Sequence, residues 1–143
     1  MKTTQGFTLL EMLVVLVIIG LLAGLVGPRI LGAGDKAKIS TANVQVKMLR
    51  GALQTLSLDI GRFPTEEEGL SLLIQPPTDE AIKPFWRGPY LEEANIPLDP
   101  WNRPYQYSPT GGSTQPFVLY SFGADGKSGG SDENTDIGLL PAR

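Results

Sequence analysis

The sequence contains no cysteine and no histidine among its 143 residues. Without cysteine no disulfide can staple the fold, and the count says nothing about the redox compartment. Without histidine the commonest general base and the commonest zinc ligand are both missing. A hydrolytic site would have to come from a Ser–Lys set or from paired carboxylates, and no spacing singles out such a set. A basic patch is lacking as well. Twelve Lys and Arg are interspersed with fifteen Asp and Glu, for a formal net charge of −3, so nothing is concentrated to track a phosphate backbone and no nucleic-acid partner is expected. The length allows one domain plus an anchor rather than two domains. A core of that size needs outside help for part of its stability. Seventeen glycines and twelve prolines lie mostly after residue 60, which predicts a C-terminal part rich in turns and loops.

What the sequence does have is a long hydrophobic run near its start. From Phe7 to Val26 the only charged side chain is Glu11, with Lys2 before the run and Arg29 after it. Twenty helical residues at about 1.5 Å each span roughly 30 Å, the thickness of a bilayer core. A cleaved secretory signal would have an apolar region of about 7 to 15 residues and an Ala-x-Ala-like exit. A plain single-span anchor leaves Glu11 unexplained, since an acid at the centre of a lone span costs on the order of 3 kcal/mol. Such residues usually have a partner or a function, and no basic residue sits one turn away.

The string GFTLLEMLVVLVIIG (residues 6–20) resembles the processing motif of type IV pilin-like proteins: a short basic leader, a glycine, Phe-Thr, a glutamate and a long apolar helix. The resemblance implies that a prepilin peptidase cuts between Gly6 and Phe7 and that the new N-terminus at Phe7 is methylated. It also implies that Glu11 is required for assembly and pairs with the N-terminus of an adjacent subunit. On that reading a mispaired subunit would leave a buried charge uncompensated. Gly20 and Gly24 form a G-x-x-x-G pair, read here as ordinary glycine content of a transmembrane helix. Pro28 is expected to kink or loosen the helix.

Beyond Pro28, residues Ile39, Ala42, Val46, Leu49, Leu53, Leu56 and Ile60 alternate spacings of three and four. They form one apolar stripe on a helix. Lys36, Lys38, Lys47, Arg50 and Gln54 lie off it. Such a stripe suits a helix packed on its own domain better than a coiled coil of so few heptads. Gly61 and Pro64 end the helix, which is expected to run from about Phe7 to Ile60. Thr65 and Glu68 predict a capping box for a second, short helix carrying Leu70, Leu72, Leu73 and Ile74. Glu66, Glu67 and Glu68 are read as favouring the helix dipole rather than as a metal site. Trp86, Tyr90, Trp101, Tyr105 and Tyr107 are read as core rather than as a ligand cage. Two strands, Pro104–Ser108 and Phe117–Phe122, form a hairpin across Pro109–Gln115. The expected fold class is α+β and pilin-like: a long N-terminal helix packed on a small loop-rich domain with a short antiparallel sheet.

The last loop, GADGKSGGSDENTDIG (residues 123–138), carries Asp125, Asp132, Glu133 and Asp136. Oxygen-only ligands on a glycine-rich loop suit Ca²⁺ and exclude zinc, and the spacing is not that of an EF-hand. The chemistry alone leaves a calcium loop and a solvated acidic loop both open. The strings FPTEEEGLSLL, GPYL, LDPWNRPYQY and LYSFGADG are similar to those of the major pseudopilins of type II secretion systems, over nearly the whole chain. The chain departs from that family at Asn102, where glycine is usual. It departs again at the end, where D-I-G-N-W is common and this chain reads DIGLLPAR. The resemblance implies one structural Ca²⁺ in the last loop, with Asp125 and Asp136 as the matching acids. Asp132 is a third candidate, and carbonyls near Phe122, Lys127 and Gly130 could complete the shell. Related type IV pilins often close this region with a disulfide, so the absence of cysteine favours the pseudopilin.

The resemblance thus implies a leader over residues 1–6, a transmembrane and assembly helix over 7–28, and a periplasmic domain over 29–143. It implies a structural subunit, not an enzyme, held in the bacterial inner membrane by a single span with lipid around it before assembly. The subunit would polymerise with itself into a periplasmic pseudopilus that drives folded proteins across the outer membrane. The further partners implied are the peptidase, minor pseudopilins and an inner-membrane platform with its ATPase. A type IV pilin for adhesion, motility or DNA uptake is the competing expectation.

Overall fold

The computed structural model describes residues 1 and 3–142, and the backbone course alone over residues 28–31. Two compact units share the chain, Met1–Lys36 and Ala37–Arg143. One helix, α1, runs through both as Leu9–Ile60. It starts two residues later than expected, because Thr8 caps it, and it continues through Pro28 without a break. A bulky apolar run of straight-chain and β-branched residues with one interior charge has little to bury against within its own chain. From Leu9 to Val26 every large apolar side chain is exposed, and α1 is long and apolar enough to cross a membrane.

In the second unit the stripe anticipated on α1 becomes the spine of the core. Ala42, Val46, Leu49, Leu53, Leu56 and Ile60 are buried, while Ile39, at the start of the stripe, is only half-buried. Ala52 is buried beside them. Leu70, Leu72, Leu73, Leu91, Tyr105, Phe117 and Leu119 close over this face. Gly61 ends the helix with a φ of 83°, a left-handed turn that a glycine makes without a Cβ penalty.

The segment after Gly61 differs from the expected helix. A 3₁₀ helix spans Gly69–Leu73, five residues being too few for an α-helix to recover its nucleation cost. The capping box is present one turn earlier. The Glu68 carboxylate accepts from Thr65 N–H at 2.9 Å, and Glu68 N–H donates to Thr65 Oγ1 at 3.3 Å. Arg62 then grips the same carboxylate with both terminal guanidinium nitrogens, Nη1 donating to Oε2 at 2.7 Å and Nη2 to Oε1 at 2.9 Å. Of the three glutamates only Glu68 is thus held, and it is held by an arginine rather than by the helix dipole. The Arg62 hydrogen bonds hold the Glu68 carboxyl at about 2, below its ordinary 4.5, against the opposing effect of burial.

Of the five aromatics read as core, Trp86, Tyr90, Tyr105 and Tyr107 join or pack against the core cluster, and Trp101 does not. Tyr105 Oη donates to Gln45 at 2.5 Å, Tyr90 Oη to Asp59 at 2.7 Å and Tyr107 Oη to the Pro64 carbonyl at 2.8 Å. Trp86 Nε1 donates to the Leu72 carbonyl at 2.9 Å. Each ring packs apolar surface while its polar tip finds a partner. Three antiparallel strands complete the unit: β1 Gln106–Pro109, β2 Phe117–Ser121 and β3 Ile137–Leu139, in the order β1-β2-β3. Tyr107 faces Leu119 across β1 and β2, and Tyr120 faces Gly138 across β2 and β3. The third strand was not anticipated. Three residues with glycine in the middle are too short to show a period of two.

Two outcomes check this packing. Leu53→Ala should lower the stability of the second unit by about 2–5 kcal/mol, read from thermal unfolding through Trp86 and Trp101 fluorescence. Glu68→Gln should cost about 1 kcal/mol near neutral pH, since the ion pair is partly exposed. The folded pKa of Glu68 lies below its unfolded value, so its contribution is complete above pH 4.5 and is lost as pH falls towards 2. The gap between parent and variant should close over that window.

Candidate functional site

At the N-terminus, Gly6 and Phe7 lie outside the helix and are exposed. Thr8 and Glu11 form a second reciprocal capping box. Thr8 N–H donates to Glu11 Oε2 at 2.8 Å, and Glu11 N–H donates to Thr8 Oγ1 at 3.2 Å. This gives Glu11 a partner inside its own chain, a backbone amide rather than a basic side chain. The T-x-x-E spacing that identified the box at Thr65 and Glu68 is present here too. The carboxylate is exposed and satisfied by a backbone donor, so it can exchange that donor for a better one.

The second unit leaves one face of α1 unused. Opposite the buried stripe, Val44 is 63% exposed, Met48 47% and Leu58 84%. Gly51 and Thr55 lie between them on the same face, and a Cβ at Gly51 would meet nothing. The spacings of four, three, four and three repeat those of the core stripe, half a turn away.

The terminal loop begins at Gly123, and a buried carboxylate organises its start. Asp99 is 3% exposed and Ser121 is fully buried. Asp99 Oδ1 accepts from Trp101 N–H at 3.0 Å and Arg103 N–H at 2.9 Å, and Oδ2 accepts from Ser121 Oγ at 2.6 Å. Ser121 Oγ in turn accepts from Gly123 N–H at 3.2 Å. The turn also explains the departure at Asn102, whose φ of 62° is left-handed. Glycine adopts that conformation freely, and asparagine is among the few other residues that tolerate it. Neither Asp99 nor Arg103 was singled out in the sequence. Their only signal was the Asp-Pro pair, which marks a turn without showing what it holds.

The expected metal residues are arranged unevenly. Asp125 is exposed and accepts from Lys127 N–H at 3.0 Å. Asp132 is exposed with a φ of 53° and opens a short 3₁₀ turn, Asp132–Asn134. Asp136 is half-buried; Oδ2 accepts from Gly129 N–H at 2.8 Å, while Oδ1 is buried with no partner. Among the described residues no three acidic side chains gather closely enough to hold one ion. The backbone closes the loop instead, with Ala124 N–H donating to the Glu133 carbonyl at 3.1 Å. Phe122 precedes the loop, and Lys127 and Gly130 lie in its outer bend.

An exposed apolar N-terminal helix that opens on a capped glutamate, followed in the chain by a small helix-and-sheet domain, defines a pilin-like subunit. The comparisons with known proteins name the kind. Residues 29–140 match the family model of type II secretion system (T2SS) protein G, and residues 1–27 match the prokaryotic N-terminal methylation motif. The type II secretion system core protein G of Pseudomonas aeruginosa is 44% identical over 138 residues, covering 96% of this chain and 95% of the relative. That of Vibrio cholerae is 39% identical over 139 residues, covering 96% and 92%. The crystal structure of the major pseudopilin from the type 2 secretion system of enterohaemorrhagic Escherichia coli superposes with a TM-score of 0.57 at 30% identity, covering 75% of this chain and 90% of that one. The chain belongs to the type II secretion system protein G family. It is a structural subunit of the pseudopilus rather than an enzyme, and the type IV pilin alternative is not favoured.

Proposed function

We propose that the chain sits in the inner membrane by one span with its domain on the periplasmic side. A prepilin peptidase cuts it between Gly6 and Phe7, Phe7 is methylated, and the mature subunit polymerises into a periplasmic filament. The partners of that process are other copies of the chain, minor pseudopilins, and an inner-membrane platform with its ATPase. The filament drives folded proteins across the outer membrane. The observation that carries this reading is the exposed apolar helix with Glu11 at its first turn.

Two features of the chain support it. Gly6 and Phe7 lie in exposed, non-helical backbone, the form in which a peptidase can take a peptide bond. Cutting there creates an ammonium at Phe7, one residue from the backbone donor that Glu11 now uses. A full positive charge binds a carboxylate better than a neutral N–H does. The carboxylate of one subunit can therefore leave its own Thr8 for the ammonium of the next. The exposed face of Val44, Met48 and Leu58 offers further apolar surface for a neighbouring copy.

Glu11→Ala should leave the subunit membrane-bound and cleaved but abolish its incorporation into filaments. Cleavage is read as a mobility shift on a gel and incorporation by filament shearing. Filaments of normal length built from the variant would contradict the assigned role.

The same reading includes one Ca²⁺ in the terminal loop. The donor set is compatible: every candidate ligand is an oxygen, and Asp136 keeps a buried carboxylate oxygen free of any donor. A bound Ca²⁺ would satisfy that oxygen and tie the tail without a disulfide. Asp136 would be the principal acid, and Asp125 the second acid offered to the ion. The carbonyls of Phe122, Lys127 and Gly130 would fill the shell, with Asp132 as a further candidate. A ligand of the native state at a hundredfold excess over Kd stabilises by about 2.7 kcal/mol, on the order of 10 °C for a unit of this size. Saturating Ca²⁺ should raise the unfolding midpoint by that order relative to EGTA. Asp136→Asn should lose the rise, and no rise in the parent would refute the metal.

A further inference from the structure

We propose that Arg103 is a positioning residue for the terminal loop, setting its affinity for Ca²⁺ without touching the ion. The inference rests on the calcium reading above and goes beyond it to a residue outside the loop.

Arg103 is fixed at its root and spread over the loop at its tip. Its backbone is held twice by Asp99: Arg103 N–H donates to Asp99 Oδ1 at 2.9 Å, and its carbonyl accepts from Asp99 N–H at 2.8 Å. From that base, just ahead of β1, the guanidinium reaches the turn that follows β2, where Nη2 donates to the Gly123 carbonyl. Gly123 is thus clasped at both ends, its N–H by Ser121 Oγ and its carbonyl by Arg103.

The guanidinium also covers Gly126. A Cβ placed there would stand 2.5 Å from Arg103 Nη1 and 3.0 Å from Cζ, and Gly126 has a φ of 69°. Only glycine lets the backbone lie this close to the guanidinium in this conformation. Asp125 sits between Gly123 and Gly126, so one side chain fixes the backbone on both sides of a candidate ligand. Among the described residues, the buried side-chain polar atoms without partners are Arg103 Nε and Asp136 Oδ1. Both belong to this region, and no salt bridge joins the two residues. Buried unpaired polar atoms are costly and call for an explanation. Arg103 keeps its planar fork on the loop backbone and leaves the Asp136 oxygen to a cation from solution. Residues that orient metal ligands in this indirect way typically change affinity 10- to 100-fold when removed.

The test is a Ca²⁺ titration of the full chain in detergent, followed by calorimetry and by tryptophan fluorescence, alongside the unfolding midpoint in EGTA. Arg103→Gln should weaken Ca²⁺ binding 10- to 100-fold. Arg103→Lys retains the charge but not the fork, and should fall between parent and Arg103→Gln. Gly126→Ala, which pushes the guanidinium off the loop, should weaken binding with Arg103 intact and decides the matter if Arg103→Gln fails to fold. A merely structural arginine would lower the midpoint in EGTA while leaving Ca²⁺ affinity within twofold of the parent, and that result overturns the proposal. A parent that binds no Ca²⁺ overturns the calcium reading, and the role of Arg103 with it. The parent titration alone distinguishes that failure from the first.

Discussion

A carboxylate taken out of water must be met by donors, and Asp99 meets this requirement with a backbone turn, a serine and, through the serine, the first amide of the terminal loop. The arrangement of the C-terminal third depends on that one buried group. It orients the backbone of Arg103, places Ser121 at the end of β2, and sets where the chain leaves the sheet. The loop then returns as β3, whose three residues pair with β2 and could not hold as an isolated strand. A domain without disulfides thus ties its tail by hydrogen bonds to one internal charge.

The N-terminal unit follows the opposite logic. Its apolar surface is left uncovered by its own chain, which in water would be an aggregation hazard. It makes sense only with lipid or other subunits around it. Glu11, at the first turn of α1, is satisfied by a capping box with Thr8 rather than by a cation. In the second unit α1 serves twice, one face packed in the core and the opposite face open. A filament-forming subunit needs this division, because a helix fully wrapped by its own domain could offer a neighbour nothing.

Periodicity made much of this legible. The buried stripe from Ala42 to Ile60, the anchor and the β1–β2 hairpin all announced themselves through spacing, since burial on one face imposes a period of 3.6 or 2. The Thr65–Glu68 box was visible for the same local reason. The box at Thr8 and Glu11 was equally visible, but Glu11 was weighed as a charge in need of a cation rather than as a helix cap. The clasp of Asp99, Arg103, Ser121 and Gly123 was out of reach, because folding joins positions 20 and 22 residues apart. The acids of the last loop illustrate the converse. Asp125, Asp132 and Asp136 are close in sequence, yet among the described residues no three acids gather in the folded loop, whose backbone takes left-handed turns at several residues.

Residue-resolved amide hydrogen exchange on the full chain in detergent, comparing the parent with Asp99→Asn, tests the dependence on Asp99 most directly. The isosteric change keeps the shape and removes the charge. Protection should be lost at Trp101, Arg103, Gly123 and along β3, with the amides of α1 between residues 42 and 60 retaining theirs. Protection lost evenly across the domain, or not lost at all, would contradict it.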